Sequence, residues 1–105
     1  MAIENEIKRA LETGKVKLGS DTTIKLLANK ACKAVIFSKD APELIKLDIL
    51  NLSKLSGIPA YELPMTSKEL GITCGKPFTV ASLAIIDPGF SKILEELEKM
   101  KSEEK

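Results

Sequence analysis

Two hydrophobic periods take turns along this chain, and their alternation limits the folds open to it. Ile3, Ile7 and Leu11 recur at every fourth position, the spacing of one helix face, and the pattern stops at Gly14. KVKL at 15–18 alternates polar and apolar, as a short strand does. A second helix follows, capped by Ser20 or Asp21, with Ile24, Leu27, Ala28 and Ala31 on its buried stripe. AVIF at 34–37 is apolar without a break, which is expected of a strand covered on both faces. Pro42 suits the first turn of a third helix, apolar over a wide arc through Leu44, Ile45, Leu47, Ile49, Leu52 and Leu55 and ending at Gly57. PAYEL at 59–63 reads as a short strand with proline at its tolerated first position. Thr66 and Glu69 form a T-x-x-E capping box, and Met65 and Leu70 are spaced as a hydrophobic staple, so a fourth helix starts at Thr66. VASLAII at 80–86 is the last strand and DPG at 87–89 a turn. Ile93, Leu94, Leu97 and Met100 support a final helix that frays into KSEEK after about residue 100.

Strict helix–strand alternation predicts an α/β fold, a three-layer α/β/α sandwich around a four-stranded mixed sheet, with 1–105 as one domain. The apolar runs AVIF and LAII are the expected central strands. No apolar run reaches the roughly 18 residues that span a bilayer. The opening MAIENEIKRALETG is charged and helical in pattern, unlike a signal peptide, so a soluble cytosolic protein is expected.

The chain lacks histidine, and its two cysteines, Cys32 and Cys74, stand far apart outside any CxxC pair. That argues against a zinc site and reads as two small buried or half-buried thiols; no metal or cofactor is expected. The commonest general acid–base group is also missing, which weighs against an enzyme. Net charge is only +1, yet residues 15–39 hold six lysines (Lys15, Lys17, Lys25, Lys30, Lys33, Lys39) against one acid, Asp21. A basic stretch inside a nearly neutral protein points to a face that meets an anion. Lysine and glutamate dominate the charged residues, arginine occurs once and glutamine not at all, a bias that fits a heat-adapted protein.

In α/β sheets of this kind, sites gather in loops at the carboxyl ends of strands. The candidates are LGSDTTIK and SKDAP; the glycine-containing GITCGKPF joins them only if the strand it precedes runs the other way. Gly19, Ser20, Thr22 and Thr23 at a helix start can hold a phosphate oxygen, with Lys25 one turn on, or they can be an ordinary helix start. CGKPF is not a P-loop, because Pro77 replaces the hydroxyl residue and no strand directly precedes it. Gly75 permits unusual backbone angles and Pro77 stiffens the approach to Phe78. Phe78 is then either a platform for an unstacked base or a core residue entering the strand. Asp40 and Asp87 each follow a strand without a second acid nearby in sequence, and DPG is most simply a turn.

GKVKLGSDTTIK, KAVIFSKDAP, LSGIPAY, TSKELGITCGKPFTVASLAIIDPG and SKIL, in this order, resemble the L-thirty-e type of large-subunit ribosomal protein from archaea and eukaryotes, within the kink-turn RNA-binding superfamily. The resemblance runs from about residue 6 to 97. It implies a non-catalytic protein of the cytoplasmic ribosome that binds a kink-turn-like ribosomal RNA beside neighbouring ribosomal proteins and is monomeric when free. By the same resemblance Gly19, Ser20, Asp21, Thr22 and Lys25 enter the kinked RNA, and Asp40 marks a second contact. Ile72, Thr73, Cys74, Gly75, Lys76 and Phe78 cover a flipped-out nucleotide, with Phe78 as the stacking aromatic. Asp21 stands where the family usually has a basic or amide residue, and Asp40 where asparagine is common. A carboxylate is unfavourable beside phosphates but can accept from a guanine or cytosine amino group. The alternatives are a kink-turn protein of another ribonucleoprotein, a protein-interaction module using Phe78 and Ile72, and a small phosphate-binding enzyme built on the Gly19 loop.

Overall fold

The computed structural model describes the backbone of residues 2–103 and the side chains of residues 3–99. Over these residues the chain forms α1 (Ala2–Thr13), β1 (Lys15–Leu18), α2 (Ser20–Ala28), β2 (Ala34–Ser38), α3 (Glu43–Ser56), β3 (Ala60–Leu63), α4 (Ser67–Thr73), β4 (Ser82–Asp87) and α5 (Ile93–Glu103). The sheet order is β1-β4-β2-β3. β2 and β3 are parallel, while β4 runs antiparallel to both its neighbours, so the sheet is mixed and the last strand is inserted between the first two. AVIF and LAII occupy the two central strands, as their unbroken apolar runs require.

Period-two alternation divides the sheet's side chains between two cores. Ala34, Ile36, Leu83 and Ile85 pack with Ile3 and Ile7 of α1, Leu70 of α4, and Ile93 and Leu97 of α5. Val35, Phe37 and Ala84 pack with Leu27 of α2 and Ile49 of α3. The three-layer sandwich follows directly: α1, α4 and α5 on one face, α2 and α3 on the other. Met65 joins Leu70 in the first core, and the Thr66 capping box is formed in both directions, so this helix start is as the sequence dictates.

Four local expectations need correction. α2 begins at Ser20 with Gly19 in the capping position, and no side chain caps it. The Ser20 hydroxyl is engaged across the sheet with Ser82 instead, and Asp21 lies exposed. The buried residues of α2 are Thr23 and Leu27; Ala28 and Ala31 are exposed, because the helix ends at Ala28 and meets α3 through Ile24, Leu26 and Leu27. α3 starts at Glu43, with Pro42 just outside it. Its apolar arc is wider than its contact: Ile49 is buried and Ile45 and Leu52 half-buried, but Leu44, Leu47, Leu50 and Leu55 face outward. A helix in an outer layer touches the sheet along one stripe only. The backbone of α5 stays helical through Glu103, past the point near residue 100 where fraying is expected; the Met100 side chain and residues 104–105 lie outside the described residues.

Gly71 is buried on α4 where the chain doubles back over the helix. A Cβ there would overlap the carbonyl oxygen of Phe78. Alanine in place of glycine ordinarily favours a helix by up to about 1 kcal/mol. Here Gly71→Ala is expected to destabilise by about 1–3 kcal/mol, since backbone must shift to admit the methyl. Urea unfolding of the variant checks this, and an unchanged or raised midpoint would show that the 71–78 crossing is looser than described.

Candidate nucleic-acid interface

β1 and β2 both run opposite to β4, and β3 runs with β2, so β1, β2 and β3 end where β4 begins. The Gly19 turn, the 39–42 loop and the segment leading into β4 therefore meet at one end of the sheet. The strand direction on which the third candidate loop depended is the one that brings it to the other two.

Hydrogen bonds from three successive residues stitch this end together. Val80 N donates to Ser67 O (3.0 Å), Ala81 O accepts from Ser38 N (2.8 Å), and Ser82 O accepts from Gly19 N (3.0 Å). Each bond ties the start of β4 to a different element: α4, β2 and the β1–α2 turn. Ser82, fully buried, also donates through Oγ to Ser20 Oγ at 2.9 Å, which leaves Ser20 its own hydroxyl proton. Thr23 gives its hydroxyl proton to Gly19 O at 2.7 Å and is buried, so it is spent on closing the first turn of α2 and not presented outward. Asp21, Thr22 and Lys25 are exposed.

Phe78 is 58% exposed and Ile72 is 66% exposed. This excludes the core alternative for Phe78; the core phenylalanine is Phe37. Gly75 takes φ 73°, a left-handed conformation, and with it the chain leaves α4 and turns toward Lys76 and Phe78, both on the surface. Thr73 is buried, and Cys74 is half-buried against the α1/α4/α5 core. Burial pushes the Cys74 thiol up to about 11, against a weaker opposite pull from Lys76, so it is a neutral packing group at neutral pH. Neither cysteine is in a disulfide, and among the described residues no group of three or more Cys, Asp or Glu is placed to hold a metal. The third phenylalanine, Phe90, is 85% exposed beyond the far end of β4, where its N–H donates to Thr13 Oγ1 at 3.0 Å. The structure therefore separates the two exposed aromatics to opposite ends of the sheet.

Asp40 sits at the loop end with both carboxylate oxygens occupied. Oδ1 accepts from Ser38 Oγ at 2.8 Å and from Ser67 N at 2.7 Å, and Oδ2 accepts from Ser67 Oγ at 3.2 Å. Sequence reasoning passed over Ser38, Ser67 and Ser82. A serine in a strand or at a helix start carries no local signal, because its partner is named only by the topology.

Residues 1–95 match the ribosomal protein L7Ae/L30e/S12e/Gadd45 family. The chain belongs to that family. Among the similar proteins, large ribosomal subunit protein eL30 of Methanothermobacter thermautotrophicus is 50% identical over 95 residues, covering 90% of this chain and 97% of the relative. The protein of the same name from Methanocaldococcus jannaschii is 43% identical over 99 residues, covering 94% and 90%. A solved structure described as a protein with unknown function from Bacillus halodurans C superposes with a TM-score of 0.79 at 24% identity, covering 92% of this chain and 96% of that one, and shares the fold. For this member of the L7Ae/L30e family, GSDTTIK and CGKPF stand at the same end of the sheet, and the acid at position 40 is a brace within the protein.

Two carboxyls at this end are held below their ordinary range. The Ser38 hydroxyl lowers Asp40, helped by the Ser67 N–H and hydroxyl and partly offset by desolvation. The Thr66 N–H and hydroxyl lower Glu69. A carboxyl whose folded pKa is depressed contributes stability that is fully present above its unfolded pKa and is lost as pH falls through the folded value. Stability should therefore decline through the acid range, below the ordinary carboxylate pKa. Asp40→Asn and Glu69→Gln should each flatten that decline in urea titrations run at a series of acid pH values. An unchanged slope in Asp40→Asn would mean that its bonds to Ser38 and Ser67 do not form in solution.

Proposed function

We propose that this protein is a non-catalytic RNA-binding component of the large ribosomal subunit in the cytoplasm, folded as a single RNA-binding domain and monomeric when free. Its loop end receives a sharply bent, kink-turn-like segment of ribosomal RNA. The observation that carries this reading is the convergence, on one hydrogen-bonded edge, of an exposed aromatic with a polar helix start flanked by lysines. Phe78 is more than half exposed beside Ile72 and Lys76, while Asp21, Thr22 and Lys25 lie exposed on the Gly19 side. An aromatic face held off the core suits one extruded base, and the Gly19–Ser20 backbone and hydroxyl suit the sugar–phosphate path beside it. Lysines supply salt-dependent attraction without reading sequence. The names of the relatives, large ribosomal subunit protein eL30, point the same way. Leu44, Leu47 and Leu55, exposed along α3, favour an additional contact with neighbouring proteins of the subunit.

Gel-shift titration at matched salt tests the reading: an RNA carrying a kink-turn-like internal loop should bind more tightly than a perfect duplex, and affinity should fall as salt rises. Equal binding to the two RNAs would overturn it. Phe78→Ala should lose about 1–3 kcal/mol of RNA binding, the worth of one stacked base. Its unfolding midpoint should stay near that of the parent, because no buried ring is removed; a loss of about 3–5 kcal/mol of stability would return Phe78 to the core. Asp21→Lys should strengthen binding, by removing the one acid of the basic stretch. Weaker binding by that folded variant would show Asp21 accepting a specific hydrogen bond from the RNA. Co-sedimentation with the large subunit separates a ribosomal role from one in another ribonucleoprotein.

A further inference from the structure

We infer that Asp40 serves RNA binding as a positioning residue for the Phe78 loop, through Ser67, and not as a contact of its own; the inference rests on the RNA-binding reading above. The chain of contacts is short and continuous. Asp40 takes the Ser38 hydroxyl and the Ser67 N–H on Oδ1, and the Ser67 hydroxyl on Oδ2. Ser38 is the last residue of β2 and is fully buried, so one side of the brace is fixed in the sheet. Ser67 is the first residue of α4, and its carbonyl accepts from Val80 N at 3.0 Å. Gly71, one turn along the same helix, lies against the Phe78 carbonyl, and Gly75 N and Lys76 N donate back to Ile72 O and Gly71 O at 2.9 Å each. Helix α4 and the 74–80 segment thus form one closed unit. Asp40 fastens the unit by side-chain bonds to β2, and Lys39 N assists with one backbone bond to Met65 O at 3.0 Å.

The Gly19 segment is fixed separately, through Gly19 N to Ser82 O and through the Ser82–Ser20 hydroxyl pair. A single bent RNA can meet Gly19–Lys25 and Phe78 together only if the α4 unit keeps its setting relative to the sheet. The Asp40–Ser67 bonds help to hold that setting at the loop end, beside the Lys39–Met65 and Ser38–Ala81 backbone bonds and the buried Leu70 and Val80. Three donors within the protein already take most of the roughly four acceptor sites of the Asp40 carboxylate, which makes the brace its main engagement.

A double-mutant cycle separates the two roles. Binding of a kink-turn RNA is measured for the parent, Asp40→Ala, Phe78→Ala and the double variant, with unfolding midpoints of each. If Asp40 acts through the Phe78 loop, Asp40→Ala weakens binding roughly tenfold in the parent and less than about twofold once Phe78 is gone. Asp40→Asn, which keeps an acceptor for the Ser67 N–H, recovers most of the loss. Equal losses in the two backgrounds overturn the inference, since a direct contact, a charge effect on phosphate or a general loss of folded protein each acts without regard to Phe78. If Asp40→Ala is unfolded at the assay temperature, the same cycle run with Ser67→Ala, which removes the Oδ2 partner alone, distinguishes the two roles by the same comparison. A parent that binds kink-turn and duplex RNA equally overturns the functional reading and this inference with it. A parent that prefers the kink-turn while the cycle is additive overturns the inference alone.

Discussion

β4 enters the sheet between β1 and β2 and runs against both, and its first residues are bonded on three sides before the strand is under way. Val80 is tied to the start of α4, Ala81 to the end of β2, and Ser82 to the turn after β1. Were β4 parallel to its neighbours, the loop that carries Phe78 would lie at the far end of the sheet, beside Thr13, and Phe90 would take its place at the loop end. Antiparallel insertion is therefore what makes one site out of three loops far apart in sequence. It also explains the fully buried serines Ser38 and Ser82: their side chains sit where strand ends meet, and each hydroxyl has a partner there.

The resulting edge is cross-linked by hydrogen bonds and carries an unusual surface. An exposed phenylalanine gains nothing for folding, and a chain with three phenylalanines and one tyrosine leaves two of the three on the surface. Phe78 is reached by a left-handed glycine, a proline and a glycine that lets backbone cross a helix, so its setting is built by the chain and not left to a mobile loop. Recognition by shape requires this kind of scaffold, because a bent RNA is read by where the contacts stand relative to each other. Under the proposed function the lysines around it have no such demand on position, since they would act through counterion release.

How legible the fold was depended on how local each signal is. The Thr66–Glu69 capping-box partners lie three residues apart and the staple partners five, and both appear as the sequence dictates. Central strands were legible because full burial needs an unbroken apolar run, which only AVIF and LAII supply. The start of α2 was misplaced because Ser20 and Asp21 are good capping residues, and a partner across the sheet claimed Ser20. The third helix misled through an excess of leucine: sequence periodicity cannot tell a stripe that meets the sheet from one that meets solvent or another protein. At the site, Phe78 and the Gly19 segment carried a motif. The brace did not, because Asp40 and Ser67 lie 27 residues apart and neither is distinctive alone.

Amide chemical-shift mapping with a kink-turn RNA reads out whether RNA engages the loop end of the sheet. Shifts are expected at residues 19–25, around 39–40 and at 72–79, arising together during the titration, with Thr13, Gly89 and Phe90 at the opposite end unmoved. Shifts centred on Phe90 and the α1–β1 turn, or confined to the exposed leucines of α3, would contradict that engagement.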